Sequence, residues 1–474
     1  MPQPFARKPS TRRPRSAVWV RLLTLTCLAL PLLALQGPLA TAHAMKIQEV
    51  KSPGGIEAWL VEEHSVPIIA LHFAFKGGAA QDPQGKEGVA NFVTSILDEG
   101  AGDLTHERFH ELMEELAIKM RFDVSHDNFM GSFETLTVNR DAGFDLLRLA
   151  LSKPRFDQEA IERMRAQFAA SMAFSEKDPG KVAGRTWSKA AFGAHPYGRQ
   201  IEGTKESLAT IQRDDLERFR SKIFARDTLK VAVVGDIDAK TLGTLLDKVF
   251  GALSAKADLV AVAAIQIASQ ANKTVIEMNV PQSVAVFGHG GLLRRDPDFN
   301  AAFVLNYIIG GGGFNSRLME QVREKRGLAY SVSSYLSPYD RSGLLLGNVA
   351  TKNEAIEQSL DVIRDEFKRM AQEGPTEKEL IDAKSYLTGS YPLRFDTSSK
   401  IASQLLGIQM ENLGIDYVDK RNGQIEAITL DQIRDIAKRL LKPDTMIVTV
   451  VGGPVAPKAA QPAPPAAVAK GGKG

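Results

Sequence analysis

Beyond residue 44 the chain switches between two hydrophobic periods. Apolar side chains alternate with polar ones in residues 56–65 (IEAWLVEEHS) and 66–75 (VPIIALHFAF), the rhythm of strands with one buried face. KIQEV precedes them, set off by the turn residues Ser52-Pro53-Gly54-Gly55. Spacings of three and four follow in LTHERFHELMEELAIKM, predicting a helix over 104–120 with Thr105 as its cap, and in DQEAIERMRAQFAASMAF, a helix over 157–174. The apolar run LKVAVVG, 229–235, closes the block as a last strand.

The block then recurs. Val66-Pro67, Gly77 and Asp82-Pro83 stand at the same intervals as Val280-Pro281, Gly291 and Asp296-Pro297, with the alternating runs IIALHFAF and QSVAVFGH between them. Farther on, ARDTLKVAVVGD matches KPDTMIVTVVGG, and Asp214 opens a DDL that matches the DQI at Asp431. Two homologous halves follow, spanning 45–254 and 273–453 and joined by an Ala/Val/Gln-rich linker over 255–272. Strands first and helices afterwards make each half α+β, a mostly antiparallel sheet covered by helices on one face. The Ala/Pro/Gly/Lys tail, 454–474, has the composition of a disordered segment.

Composition, 44% hydrophobic and 24% charged, is that of a soluble globular protein. The first 44 residues stand apart. Arg7, Lys8, Arg12, Arg13 and Arg15 precede an apolar run broken by Arg21 and Pro31, and Ala42-His43-Ala44 ends it, the pattern of a signal peptide that is removed. The uninterrupted apolar part is too short to span a bilayer, so no stable membrane anchor is expected after cleavage, and the location is periplasmic or secreted. The Arg12-Arg13 pair leaves the export route open. Six basic residues and no acidic one leave with the leader, so 59 basic residues become 53 against 56 acidic, a net charge of −3. That balance disfavours nucleic acid as a partner. Cys27, the single cysteine, leaves too, and the mature chain forms no disulfides.

The densest run of special residues is 310–330, GGGGFNSRLMEQVREKRGLAY. Four glycines permit sharp turning or close approach. Asn315 or Ser316 can cap a helix bearing Leu318 and Val322 one turn apart, and Arg323, Lys325 and Arg326 lie at its negative end before Gly327. This fits a Gly-hinged surface helix. Together with HPYGRQIEG (195–203), LKVAVVGDID (229–238) and the duplication, however, FNSRLMEQVREKRGLAYSVSS resembles the insulinase (pitrilysin-type, inverted-zincin) peptidase family, including the mitochondrial processing peptidase subunits. The resemblance covers 47–452 and implies two α+β halves per chain, paired with a second two-half unit around a peptide-sized chamber.

Active members of that family carry His-x-x-Glu-His in the first helix and a distal glutamate as third zinc ligand, leaving a fourth position for water. In this chain the matching helix is GVANFVTSILDEG, 88–100, with Asn91, Thr94 and Ser95 at the motif positions, and alignment through Asp178-Pro179 puts Ser171 at the distal one. Neutral amide and hydroxyl groups replace imidazole and carboxylate poorly around zinc, so no hydrolysis by this chain alone and no metal at these degenerate positions are expected. The family's second-half pair is retained as Arg323 and Tyr330, which the resemblance assigns to holding the substrate peptide and its scissile carbonyl. The expected function is that of a non-catalytic partner subunit of a periplasmic zinc peptidase, lending Arg323 and Tyr330 to a metal-bearing chain in a heterodimer, with zinc in the partner and a peptide as substrate. Two alternatives remain: a self-sufficient zinc metallopeptidase with a displaced site, and a non-enzymatic peptide-binding or assembly protein.

One further motif, His106-Glu107-Arg108-Phe109-His110, is a literal His-Glu-x-x-His. It lies in the first turns of its helix and no third ligand follows it in a recognisable pattern, so it reads as a chance match. His195 before Pro196 reads as structural, and His72 and His289 as satisfied strand residues.

Overall fold

Along the strand Asn128–Leu136 every second residue is buried, so the alternation in the sequence becomes one face on a core. The computed structural model describes residues 45–267 and 271–453; the leader 1–44, the tail 454–474 and residues 268–270 of the expected linker lie outside the described residues. The first sheet comprises β1 (Gln48–Lys51), β2 (Glu57–Glu62), β3 (Ile68–Lys76), β4 (Lys119–Val124), β5 (Asn128–Leu136) and β6 (Lys230–Gly235), in the order β1-β2-β6-β3-β5-β4. The second comprises β7 (Asn272–Glu277), β8 (Gln282–Gly290), β9 (Ala329–Pro338), β10 (Gly343–Lys352) and β11 (Ile447–Gly452), in the order β7-β11-β8-β10-β9. Without β1 the first order maps onto the second strand for strand. Each sheet has one parallel pair, β2 with β6 and β7 with β11, and is otherwise antiparallel. The chain is thus two α+β halves of one architecture.

The Ser52-to-Gly55 turn closes by Gly55 N–H donating to the Ser52 carbonyl, 2.9 Å. The helix expected over 104–120 ends earlier than its spacing predicted. The segment 104–120 is helical only over His106–Glu115, with the Thr105 hydroxyl accepting from Arg108 N–H as foreseen. Ala117 then takes a left-handed backbone, φ +51°, which ends the helix, and Lys119 and Met120 open β4. The MEELAIKM stretch, 113–120, had the apolar spacing of a helix, but Met120 and Phe122 alternate onto the sheet core instead.

Each sheet packs its own half's helices on one face. Ile69, Leu71, Phe73 and Phe75 of β3 share a core with Phe144, Phe219 and Phe250, while Ala285 and Phe287 of β8 share another with Ile363, Phe367 and Ile433. The opposite faces are closed by an exchange that the sequence did not reveal. The first-half helix Pro179–Phe192 lies on β8 and β11, and the second-half helix Ser398–Met410 lies on β3 and β6. Trp187 donates its indole N–H to the Ile447 carbonyl at 2.9 Å, and the Gln409 amide donates to the Val231 carbonyl at 2.9 Å. This two-sided cover explains why β11 is buried at all six positions. Among the described residues no helix is long and apolar enough to cross a membrane.

Candidate functional site

The first-half site begins at Asp82. Its carboxylate accepts from Gly88 N–H at 2.7 Å and Ala90 N–H at 2.9 Å, starting the short helix Val89–Thr94. Burial is the largest influence on this carboxyl and pushes it up to about 7, against the two backbone donors that favour the ionised form. The helix ends after Thr94 and residues 95–98 form turns, so it is shorter than 88–100. Asn91, Thr94 and Ser95 are half-buried on it. The Thr94 hydroxyl donates back to the Asn91 carbonyl at 2.7 Å and Ser95 to the same carbonyl at 3.4 Å. Ser171 sits exposed on the helix Gln158–Ser175, which neighbours the first through an edge-on Phe92–Phe168 contact of 5.2 Å between ring centres. A hydroxyl already committed to its own helix, beside amide and hydroxyl neighbours, supplies neither charge nor a free strong donor atom. This set does not fit the zinc of active insulinase-type peptidases.

Arg323 and Tyr330 are brought together. After Asn306 the chain winds through two wide turns, Tyr307–Gly311 and Met319–Glu324, on either side of the remaining glycines. A Cβ on Gly310 would meet Ser334 Oγ at 2.2 Å and Ser334 N at 2.8 Å, so only glycine lets this turn lie against β9. Gly313, at φ +57°, takes the left-handed bend before Ser316 caps the next turn. Lys325 N–H reaches back five residues to the Glu320 carbonyl, 2.9 Å, marking a π-type turn where the spacing predicted a plain helix. That turn carries Arg323. Its guanidinium carbon lies 4.6 Å from the ring centre of Phe314 and 5.1 Å from that of Tyr330, on β9. The two rings are 66% and 78% exposed, large values for aromatics flanking a cation. Phe314 was not foreseen as part of the site; its position beside the glycines was the available signal.

Buried polar groups hold this arrangement. Asn306 donates to the Ser334 carbonyl at 3.1 Å and the Ser334 hydroxyl donates to Asn306 Oδ1 at 2.8 Å, joining the first wide turn to β9. Arg317 pairs with Glu379 through Nε and Nη2, at 2.6 and 2.8 Å, and with buried Glu366. For Glu379, burial acts to raise the carboxyl, but the Arg317 guanidinium and the Thr376 N–H and hydroxyl outweigh it and hold it at about 2.

A second polar cluster, missed in the sequence, joins the halves. Tyr197 donates to Asp127 Oδ1 at 2.6 Å, Asp340 N–H donates to Asp127 Oδ2 at 3.0 Å, and Arg341 N–H donates to the Tyr197 oxygen at 3.2 Å. Tyr197 stacks on Tyr339, 4.7 Å between ring centres. Burial, reinforced by Asp127, raises the Tyr197 phenol far above its ordinary value. His195 is structural here: Nδ1 accepts from Tyr197 N–H at 3.2 Å and Nε2 meets the Ala263 carbonyl at 3.0 Å. His72 reaches the Ser399 hydroxyl at 3.0 Å, and buried His289 reaches the Gly290 carbonyl at 2.8 Å. His106 and His110 share a helix face, with Glu99 beside them.

Comparison with known proteins agrees with this architecture. A model described as "Insulinase (Peptidase family M16)" matches residues 59–205, and one described as "Peptidase M16 inactive domain" matches 210–387, together about two thirds of the chain. A "Non-peptidase homolog YmxG" of Helicobacter pylori is 28% identical over 398 residues, covering 84% of this chain and 91% of the relative. An "Uncharacterized zinc protease YmxG" of Bacillus subtilis is 23% identical, covering 85% and 98%. The crystal structure of a peptidase M16 inactive domain from Pseudomonas fluorescens superposes with a TM-score of 0.82 at 29% identity, over 87% of this chain and 99% of that one. With the duplicated fold, the two matching models and the uncharged residues at the metal-binding positions taken together, the chain belongs to the insulinase (M16) peptidase family, as a member that lacks the family's zinc motif.

Proposed function

We propose that the chain is a non-catalytic subunit that completes the substrate site of a metal-bearing M16 peptidase, in the periplasm or outside the cell, as one member of a heterodimer. The observation that carries this reading is the Phe314–Arg323–Tyr330 stack. A cation held between two exposed aromatic rings on a turn fixed by buried hydrogen bonds has the Arg-and-aromatic composition of residues that anchor bound peptides. Arg323 and Tyr330 would donate to the scissile carbonyl as negative charge develops on it, while zinc and the base come from the partner. The uncharged residues on Val89–Thr94 and the name "non-peptidase homolog" borne by the Helicobacter relative both support the division of labour.

The test mixes the mature chain with an M16 chain that has an intact His-x-x-Glu-His and follows cleavage of a fluorogenic peptide. The mixture is expected to cleave and this chain alone is not. Arg323→Ala is expected to lower kcat of the mixture roughly 100-fold with a smaller change in KM, and Tyr330→Phe to lower it about tenfold. If both variants still assemble with the partner and its activity is unchanged, the reading fails and a non-enzymatic binding role takes its place.

A further inference from the structure

The turn that follows the degenerate helix sets three ligand-type side chains against one another. Gly100 and Gly102 take left-handed backbones, φ +113° and +60°, and Ala101 and Leu104 exchange backbone hydrogen bonds of 3.1 and 3.0 Å, so the chain doubles back within a few residues. Gly100 is pinned from outside as well, its carbonyl accepting from Arg155 N–H at 3.1 Å. This fold-back lays Glu99 against the first turns of His106–Glu115, where His106 and His110, four residues apart, face the same way. The imidazole centres are 4.5 Å apart, and one ligand atom from each of Glu99, His106 and His110 lies within 4.8 Å of the others.

The nitrogens facing this point are unsatisfied. His106 Nδ1 and His110 Nε2 are both shielded from solvent and neither has a hydrogen-bond partner among the described residues. His106 Nδ1 lies 2.8 Å from Glu99 Oε2 but is out of line for a hydrogen bond. Shielded ring nitrogens are normally paired, and two converging on a carboxylate without hydrogen bonds have the arrangement of ligands. Glu99 lies ahead of the motif in the sequence rather than after it, and only the fold-back brings it in.

We propose that Glu99, His106 and His110 form a binding site for one divalent transition-metal ion of the zinc type, separate from the family's own metal position. Two imidazoles and a carboxylate suit zinc, cobalt or nickel and select against calcium and magnesium, which take oxygen ligands. The ion would tie the turn after the degenerate helix to His106–Glu115. Arg163, from the helix Gln158–Ser175, pairs with the same Glu99 oxygen, so a metal and this guanidinium compete for one carboxylate. Glu107 is exposed to solvent and not part of the cluster, which gives the site no placed base for hydrolysis.

The experiment titrates the chelator-treated mature chain with zinc, counts bound metal after desalting, and records the visible spectrum of the cobalt form and the melting temperature with and without zinc. One ion per chain, a four-coordinate cobalt spectrum and a zinc-dependent rise in melting temperature are expected. His106→Ala or His110→Ala should abolish all three, Glu99→Gln should weaken binding at least tenfold, and Arg163→Ala should tighten it. His64→Ala, a histidine outside the cluster, should leave binding unchanged, and the melting temperature in chelator reports whether each variant folds. No stoichiometric binding at micromolar zinc, or binding that survives the double His106→Ala, His110→Ala change, overturns the site. Peptide cleavage by the zinc-loaded chain alone would overturn the proposed partner role and leave the site itself standing.

Discussion

At position 82 a carboxyl group is almost fully enclosed while it heads the helix that bears Asn91, Thr94 and Ser95. Its carboxyl is raised from 3.8 to about 7 chiefly by burial, so the folded state holds a proton that the unfolded chain releases near pH 4. The stability this supplies is fully present below about pH 3.8 and is lost as pH rises through about 7, with a slope of up to ~1.4 kcal/mol per pH unit. Asp82→Asn should therefore flatten the fall in stability between pH 5 and 7 measured by guanidinium unfolding, and an unchanged slope would remove Asp82 as its source. The sequence made Asp82 visible as a repeat marker before Pro83, and the family resemblance pointed to uncharged Asn91, Thr94, Ser95 and Ser171 at the expected metal positions, because residue identity carries both. It did not show that Asp82 is buried, or that Glu99 folds back onto His106 and His110. Both depend on the path of a turn, which no single residue encodes.

Among the elements, the wide turns around the glycines decide where Arg323 points. The spacing of Leu318 and Val322 announced a helix capped by Asn315 or Ser316; the Ser316 cap and the buried Leu318 and Val322 are present, but the helical turn they begin is not a plain one. The π-type widening over Met319–Glu324 was not legible, since one extra residue per turn leaves the apolar pattern almost intact. Gly310→Ala forces β9 away from the first wide turn and should destabilise the protein by roughly 2 kcal/mol or more, while lowering partner-dependent cleavage. Gly313→Ala strains only a left-handed bend with open space around it and should cost about 1 kcal/mol. Thermal unfolding of the two variants checks the ranking. Equal costs would mean that the contact with Ser334 does not set the turn.

For the whole molecule, the duplication could be read from local turn and strand chemistry, and the matching strand orders of the two sheets express it. The exchange of helices between halves could not be read, because the apolar faces of Pro179–Phe192 and Ser398–Met410 do not say which sheet they cover. Through that exchange the first half holds up the second. Trp187→Ala should cost about 3 kcal/mol or more and speed amide exchange in β11, although Trp187 belongs to the other half of the sequence. Wild-type unfolding should be a single transition, and two separate ones would show the halves to be independent. A unit so built carries Arg323 and Tyr330 together on β9 and the turn before it, while the helix Val89–Thr94 bears uncharged Asn91 and Thr94. The most direct test is peptide cleavage by the purified mature chain, alone and mixed with a zinc-bearing M16 chain. The account predicts no turnover alone, turnover in the mixture, and a loss of roughly 100-fold with Arg323→Ala; chelator-sensitive turnover by the chain alone would contradict it.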